Sequence, residues 1–233
     1  MIKEAIILAG GLGTRLRTVV ADVPKCLAPV AGKPFLYYVL KWLEKYRLQH
    51  IILSLGYKHE MITAWCNENK FPFELSYAIE AQPMGTGGGI KNALGHVREE
   101  TVLILNGDTL FNVDIPAFHD FHLQHSGALS LCLKPMRQFN RYGVVRLDGQ
   151  ARVLSFEEKR FYEVGLINGG VYLMEKTPFL QLPLPEKFSF ENDYLVPSVK
   201  RELFFGYISD AYFIDIGVPA DYERAQTEIK TIL

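Results

Sequence analysis

Cysteine is scarce in this chain: its 233 residues include three, Cys26, Cys66 and Cys132, far apart and in no C-x-x-C arrangement. So odd and scattered a set excludes a disulfide framework and reads as packing thiols in a reducing cytoplasm. An excess of one charge is also missing, because 25 Lys and Arg stand against 26 Asp and Glu, for a formal net charge of -1. Near-neutrality supplies no attraction toward nucleic acid or an anionic membrane, and neither is expected as a partner. No apolar run approaches the roughly 20 residues that cross a bilayer. The first strand begins almost at once, which leaves no room for a signal peptide, and the expected location is cytoplasmic. Linkers, low-complexity tracts and repeats are lacking, so one domain over 1–233 is expected.

Two common phosphate-binding motifs are absent as well. The dinucleotide fingerprint needs a third glycine opening the helix, but Leu16 stands there, with no acid about 20 residues further on. A P-loop needs Gly-Lys followed by Ser or Thr, whereas Gly32-Lys33 is followed by Pro34.

What is present is a different loop. Ala5-Ile6-Ile7-Leu8 reads as a strand buried in a parallel sheet, and it runs into Ala9-Gly10-Gly11-Leu12-Gly13-Thr14-Arg15-Leu16. The glycines let backbone N–H groups approach a phosphate chain. Arg15 adds a planar fork of donors and Lys25, after Pro24, a compact second positive charge. A tight turn alone would explain the glycines but not the charged pair. The combination points to a nucleoside triphosphate.

Apolar runs alternate with helical patterns through the first half: a helix over 35–47, a strand over 51–55, a helix over 60–67 and strands over 73–79 and 102–105. This repetition predicts an α/β fold, a mostly parallel central sheet flanked by helices. The second half is strand-rich (128–134, 143–147, 151–156, 170–174), which predicts an added antiparallel lobe with a hairpin turn at Leu147-Asp148-Gly149-Gln150. Residues 192–201 read as helical, 204–208 and 212–216 as strands, and 221–232 as a terminal helix.

Asp108 ends a predicted parallel strand, where open α/β sheets bind ligands, and a hard oxygen there suits Mg²⁺. Asp215 is the candidate second carboxylate, against the reading of an acid that merely leads a helix. Gly85-Thr86-Gly87-Gly88-Gly89 is expected as a turn before a short helix over 88–97, with N–H groups open to an anion or a base. Glu80 is a candidate acceptor for a guanine edge. Glu158, Lys159 and Asn168 are candidates for a second, sugar-phosphate substrate, with Gly143 beside them; for Lys159 alone, edge-strand surface charge is the stronger reading. His119, His122 and His125 read as a solvated helix face rather than a metal site.

With these motifs in place, the chain resembles the sugar-1-phosphate nucleotidyltransferases over nearly its full length. The shared features are the G-G-x-G-T-R-L loop, Pro24-Lys25, Gly32-Lys33-Pro34, Gly85-Thr86-Gly87-Gly88, Asn106-Gly107-Asp108, Glu158-Lys159, Asn168-Gly169-Gly170 and Asp215-Ile216-Gly217. Gly89 stands where alanine is usual, and the β-helix tail of some members is absent. The resemblance implies a Rossmann-like nucleotidyltransferase fold, with 1–110 mainly binding NTP and 111–233 mainly binding sugar phosphate. It implies Arg15, Lys25 and Asp108 as catalytic residues. Leu8, Ala9, Gly10, Gly11, Gly13, Thr14, Arg15, Glu80, Gly85 and Thr86 would bind the nucleotide. Gly143, Glu158, Lys159 and Asn168 would bind the sugar phosphate, and Asp108 with Asp215 would hold Mg²⁺. Within that family, the stretch from Arg15 to Leu36 most resembles the D-glycero-α-D-manno-heptose 1-phosphate guanylyltransferases. Mannose-1-phosphate guanylyltransferases and N-acetylmuramate-1-phosphate uridylyltransferases come next. The partners so implied are GTP and a sugar 1-phosphate, with a homodimer as an allowed assembly.

Overall fold

The computed structural model describes residues 1–11, 16, 20 and 23–232, and in it the apolar runs become strands flanked by helices. The first half holds β1 (Glu4–Leu8), β2 (Pro29–Val30), β3 (Lys33–Pro34), α1 (Phe35–Glu44), β4 (His50–Leu55), α2 (His59–Glu68), β5 (Glu74–Ile79), α3 (Gly85–Ala93) and β6 (Thr101–Asn106). There follow β7 (Thr109–Phe111), α4 (Ile115–His125), β8 (Leu129–Phe139), β9 (Val144–Leu147), β10 (Val153–Glu157) and β11 (Tyr162–Glu175). The chain continues through α5 (Lys176–Leu180), a π-helical turn (Phe190–Leu195), α6 (Val196–Ser198), β12 (Phe204–Ile208), β13 (Phe213–Asp215) and α7 (Pro219–Glu228).

Alternation along β1 sets both faces of the sheet. Ile6 lies beside Ile52 of β4 and Ile104 of β6, and all three face the α3 side. Ile7 lies beside Leu53 and Leu105, facing α1 and α7 on the other side. All but Leu105, at 2%, are wholly buried, and burial of each is worth roughly 1.5–3 kcal/mol. The sheet has seven strands in the order β12-β8-β11-β6-β1-β4-β5. β11 alone runs against its neighbours; the other pairings are parallel, as the alternating pattern predicts.

The lobe is less separate than expected. β8 and β11 are long, and their inner portions (129–133 and 171–175) belong to the central sheet, because Leu129, Leu131, Leu173 and Met174 are wholly buried in its core. Only their outer portions, with the antiparallel β9–β10 hairpin, form the lobe.

The three histidines depart further from expectation. His122 is buried, bonded through Nδ1 to Ser130 Oγ at 2.8 Å and through Nε2 to Glu175 Oε1 at 2.9 Å. His125 is partly buried against Phe121 and Phe205. The helix turns this row toward the sheet, not toward solvent. Ser130, His122 and Glu175 have the chemistry of a hydrolytic triad, but Ser130 is fully buried and no substrate reaches it. Among the described residues no helix is long and apolar enough to cross a membrane.

Candidate active site

The carboxyl ends of β1, β4, β5 and β6 open into one cleft of about 430 Å³. Leu8, Ala9, Gly10 and Gly11 line it after β1, Glu80 after β5, and Asn106, Gly107 and Asp108 after β6. Lys25, Gly85, Thr86 and Gly217 complete the wall on which the chemistry rests. Gly13, Thr14 and Arg15 lie outside the described residues. A larger, shallower cleft of about 670 Å³ lies at the opposite end of β4 and β5 and is far from this set.

Asp215 reaches the cleft through a short ribbon. β13 pairs antiparallel with β7, placing Asp215 opposite Thr109, and the Ile216 N–H donates to the Asp108 carbonyl at 3.0 Å. The two carboxylates thus meet, and Lys25 lies between them. Its Nζ is 2.5 Å from Asp108 Oδ2 and 3.7 Å from Asp215 Oδ1, with the lysine side chain only 12% exposed. Gly217 N–H donates to Asp215 Oδ1 at 2.7 Å, and the Tyr142 hydroxyl donates to Oδ2 at 3.2 Å. A side chain at Gly217 would collide with both Asp215 Oδ1 and Lys25 Nζ, each 2.7 Å from an ideal Cβ. Burial, then the charge of Asp108, pushes the Asp215 carboxyl above its ordinary value, while Lys25 pulls the other way. Burial and the Asp215 charge likewise push the Tyr142 phenol up.

The glycine cluster does not precede a helix; it is the start of α3 itself. Gly85 takes a left-handed turn (φ +73), and the N–H groups of Gly87 and Gly88 donate to the Phe188 carbonyl. Those two donors are therefore not open to an anion, as the sequence reading expected. Side chains at Gly87 and Gly88 would meet Phe188 and the Glu186 carbonyl, so these glycines seat the 186–190 segment against the helix. Thr86 Oγ1 accepts from the Phe190 N–H at 2.9 Å and fastens the same segment.

The candidates for a second substrate are more dispersed. Glu158 and Lys159 lie exposed on the turn between β10 and β11, and neither lines the cleft. Gly143 packs where a Cβ would be 2.2 Å from the Glu157 carbonyl, so it sits beside that turn. Asn168 uses its amide inside β11, donating to the Tyr172 hydroxyl at 2.9 Å and accepting from Gly170 N–H at 3.1 Å across an irregularity in the strand. Gly170 in turn lies against the Asn106 side chain, so this bend abuts the cleft. Ser54 and Gly217 line the cleft although the sequence reading gave neither a role. Ser54 had no signal, being one polar residue in an apolar strand; Gly217 had one in its place directly after Asp215-Ile216.

Residues 4–232 match the Nucleotidyl transferase family. The chain is 49% identical to D-glycero-alpha-D-manno-heptose 1-phosphate guanylyltransferase of Aneurinibacillus thermoaerophilus, across 97% of this chain and 98% of that one. It is 44% identical to the enzyme of the same name from Campylobacter jejuni, across 94% and 96%. Its fold superposes on the crystal structure of HddC from Yersinia pseudotuberculosis complexed with GMP-PN, with a TM-score of 0.87 and 38% identity over 97% of this chain and 98% of that one.

Proposed function

The chain belongs to the nucleotidyl transferase family, and on that premise we propose that it transfers a guanylyl group from GTP to D-glycero-α-D-manno-heptose 1-phosphate, releasing pyrophosphate. The observation that carries this reading is the meeting of Lys25, Asp108 and Asp215 beside a glycine loop at the strand ends. The names borne by full-length relatives supply the substrates.

A sugar 1-phosphate oxygen is already anionic. It attacks the α-phosphorus of GTP; the new O–P bond forms as the bond to the β-phosphate oxygen breaks, and pyrophosphate leaves with that electron pair. Such an attack needs little from a general base, and repulsion between the two phosphate groups is the main obstacle. Lys25 offers its ammonium to the triphosphate, with Arg15 as a second cation from the loop. Leu8, Ala9, Gly10 and Gly11 line the cleft that takes the nucleotide, with Gly85 and Thr86 across it, and Gly13 and Thr14 are assigned to the nucleotide by the family resemblance alone. The family resemblance assigns the sugar phosphate to Lys159, on its exposed turn beside Gly143, and the sugar to Glu158 and Asn168.

Asp108 and Asp215 fit a hard divalent ion. They already share one cationic partner in Lys25, and Mg²⁺ takes one or two carboxylates together with phosphate oxygens and water. Among the described residues no third acidic, His or Cys side chain joins them, so substrate oxygens would complete the shell. When bound, Mg²⁺ supplies charge neutralisation to the phosphate chain. Tyr142 and the Gly217 N–H fix the orientation of Asp215 for that task.

Glu80 supports guanine over uracil. Its half-buried carboxylate can accept from the ring N–H and the exocyclic amine of guanine, whereas uracil offers one N–H and a repelling carbonyl. Pyrophosphate release should be measured with four NTPs against a panel of sugar 1-phosphates. GTP with the heptose is expected to give the highest kcat/KM. Equal use of UTP, or better turnover with mannose 1-phosphate, would overturn the substrate assignment and leave the reaction class standing.

A further inference from the structure

Behind Glu80 the wall of the cleft has a notch. Gly89 lies on α3 facing the end of β4, and an ideal Cβ there would be 2.8 Å from Glu80 Oε1 and 2.8 Å from Ser54 Oγ. Real Cβ atoms do not come so close, so the two oxygens keep their positions only because residue 89 has no side chain. Both oxygens border one small space.

Neither oxygen is used up. Ser54 is 1% exposed, lines the cleft, and its hydroxyl makes no hydrogen bond to any described residue. Because Ser54 borders the cleft, a donor group entering there can supply its hydroxyl with a partner. Glu80 Oε2 accepts from the Met84 N–H at 2.9 Å, which fixes the carboxylate and turns Oε1 toward Gly89 and Gly10. Among the described residues no cation pairs with Glu80. Burial holds its carboxyl above the ordinary value.

An anionic acceptor and a hydroxyl acceptor on two sides of one notch match a group with two diverging N–H bonds. A primary exocyclic amine is such a group. Uracil and hypoxanthine carry none, and adenine carries its amine where guanine has a carbonyl. We propose that Gly89 and Ser54 are specificity-determining residues that seat the 2-amino group of guanine, one N–H donating to Glu80 Oε1 and the other to Ser54 Oγ. This rests on the guanylyl reading above and assigns the part of the base that decides it.

The test compares GTP with inosine triphosphate, which differs only in lacking that amine, using the full chain and the sugar 1-phosphate that supports turnover. Dissociation constants for GDP and IDP, by calorimetry, give a readout independent of turnover. The unaltered protein should prefer GTP over ITP by roughly tenfold or more, the scale of a hydrogen bond to a charged group. Ser54→Ala should shrink that ratio about 2- to 10-fold, as loss of a neutral hydrogen bond does. Gly89→Ala, which fills the notch, should bring the ratio close to one, with ITP kinetics moving less than GTP kinetics. If Gly89→Ala fails to fold, Ser54→Ala still decides the matter. A GTP to ITP ratio left unchanged by Ser54→Ala, or equal use of GTP and ITP with UTP refused, overturns the notch and spares the guanylyl reading. A preference for UTP overturns both.

Discussion

Lys25, Asp108 and Asp215 form a set whose members are each readable from their neighbours in sequence, while their mutual arrangement is not. Pro24-Lys25, Asn106-Gly107-Asp108 and Asp215-Ile216-Gly217 each mark a loop at a strand end. Nothing in the spacing says that one ammonium sits on both carboxylates, because that depends on the β7–β13 pairing. If Asp108 and Asp215 hold one Mg²⁺, as proposed, the two acids act as a single unit. Asp108→Asn and Asp215→Asn should each lower kcat by orders of magnitude, and the double variant should lose little more than either alone. Steady-state kinetics of the three variants check this; a double loss equal to the product of the single losses would count against a shared ion. Ser54 shows the opposite case. One serine within His50–Leu55 carries no pattern, and its place in the cleft follows only from where β4 ends.

Among the elements, the buried strands were the most legible, since short apolar runs bounded by Gly, Asn and Asp leave few alternatives. The expected strands over 51–55, 73–79, 102–105 and 204–208 all lie within a residue or so of those observed. The glycine cluster was misread for a physical reason. Four glycines in five residues have poor helix propensity, yet here contact with the 186–190 segment outweighs it. The histidine row was misread because helical spacing shows which residues share a face but not which way that face points. Thr86 now has two duties, lining the cleft and accepting from Phe190 N–H. Thr86→Val keeps the shape and strands that donor, so stability should fall by about 1–3 kcal/mol, while Thr86→Ser should hold nearly all of it. Urea unfolding of the two variants reads the difference.

At the scale of the molecule, a buried acid ties the first strand to its neighbours. Glu4 Oε1 accepts from His50 Nδ1 at 2.7 Å, and Oε2 accepts from the backbone N–H groups of Arg98 and Glu99 at 2.7 Å each. Burial pushes its carboxyl up, but the Glu99 N–H, the His50 ring and the Arg98 N–H together hold it below its ordinary value. A depressed carboxyl contributes stability that is fully present above the unfolded value, roughly 4.3, and fades as pH falls through the folded one. Unfolding free energy should therefore drop on acidification below about pH 5, and Glu4→Gln should flatten part of that slope while lowering stability at pH 7. An acid limb identical in the two proteins would remove Glu4 from the account. Glu4 has no role in the sequence reading, because a single acid beside an apolar run does not show partners at positions 50, 98 and 99.

The ribbon that carries Asp215 to Asp108 also bears on how the protein folds. Lys25 and Asp108 are 83 positions apart, and Asp215 joins them from beyond the lobe, so the site closes only after three distant stretches of chain have met. Contacts of such sequence separation form slowly, because each requires a long loop to close first. A nucleotide held there is then linked to global unfolding: it raises the melting temperature of the whole molecule by mass action instead of quieting one segment. Occupancy of the cleft becomes a report on whether the chain has finished folding.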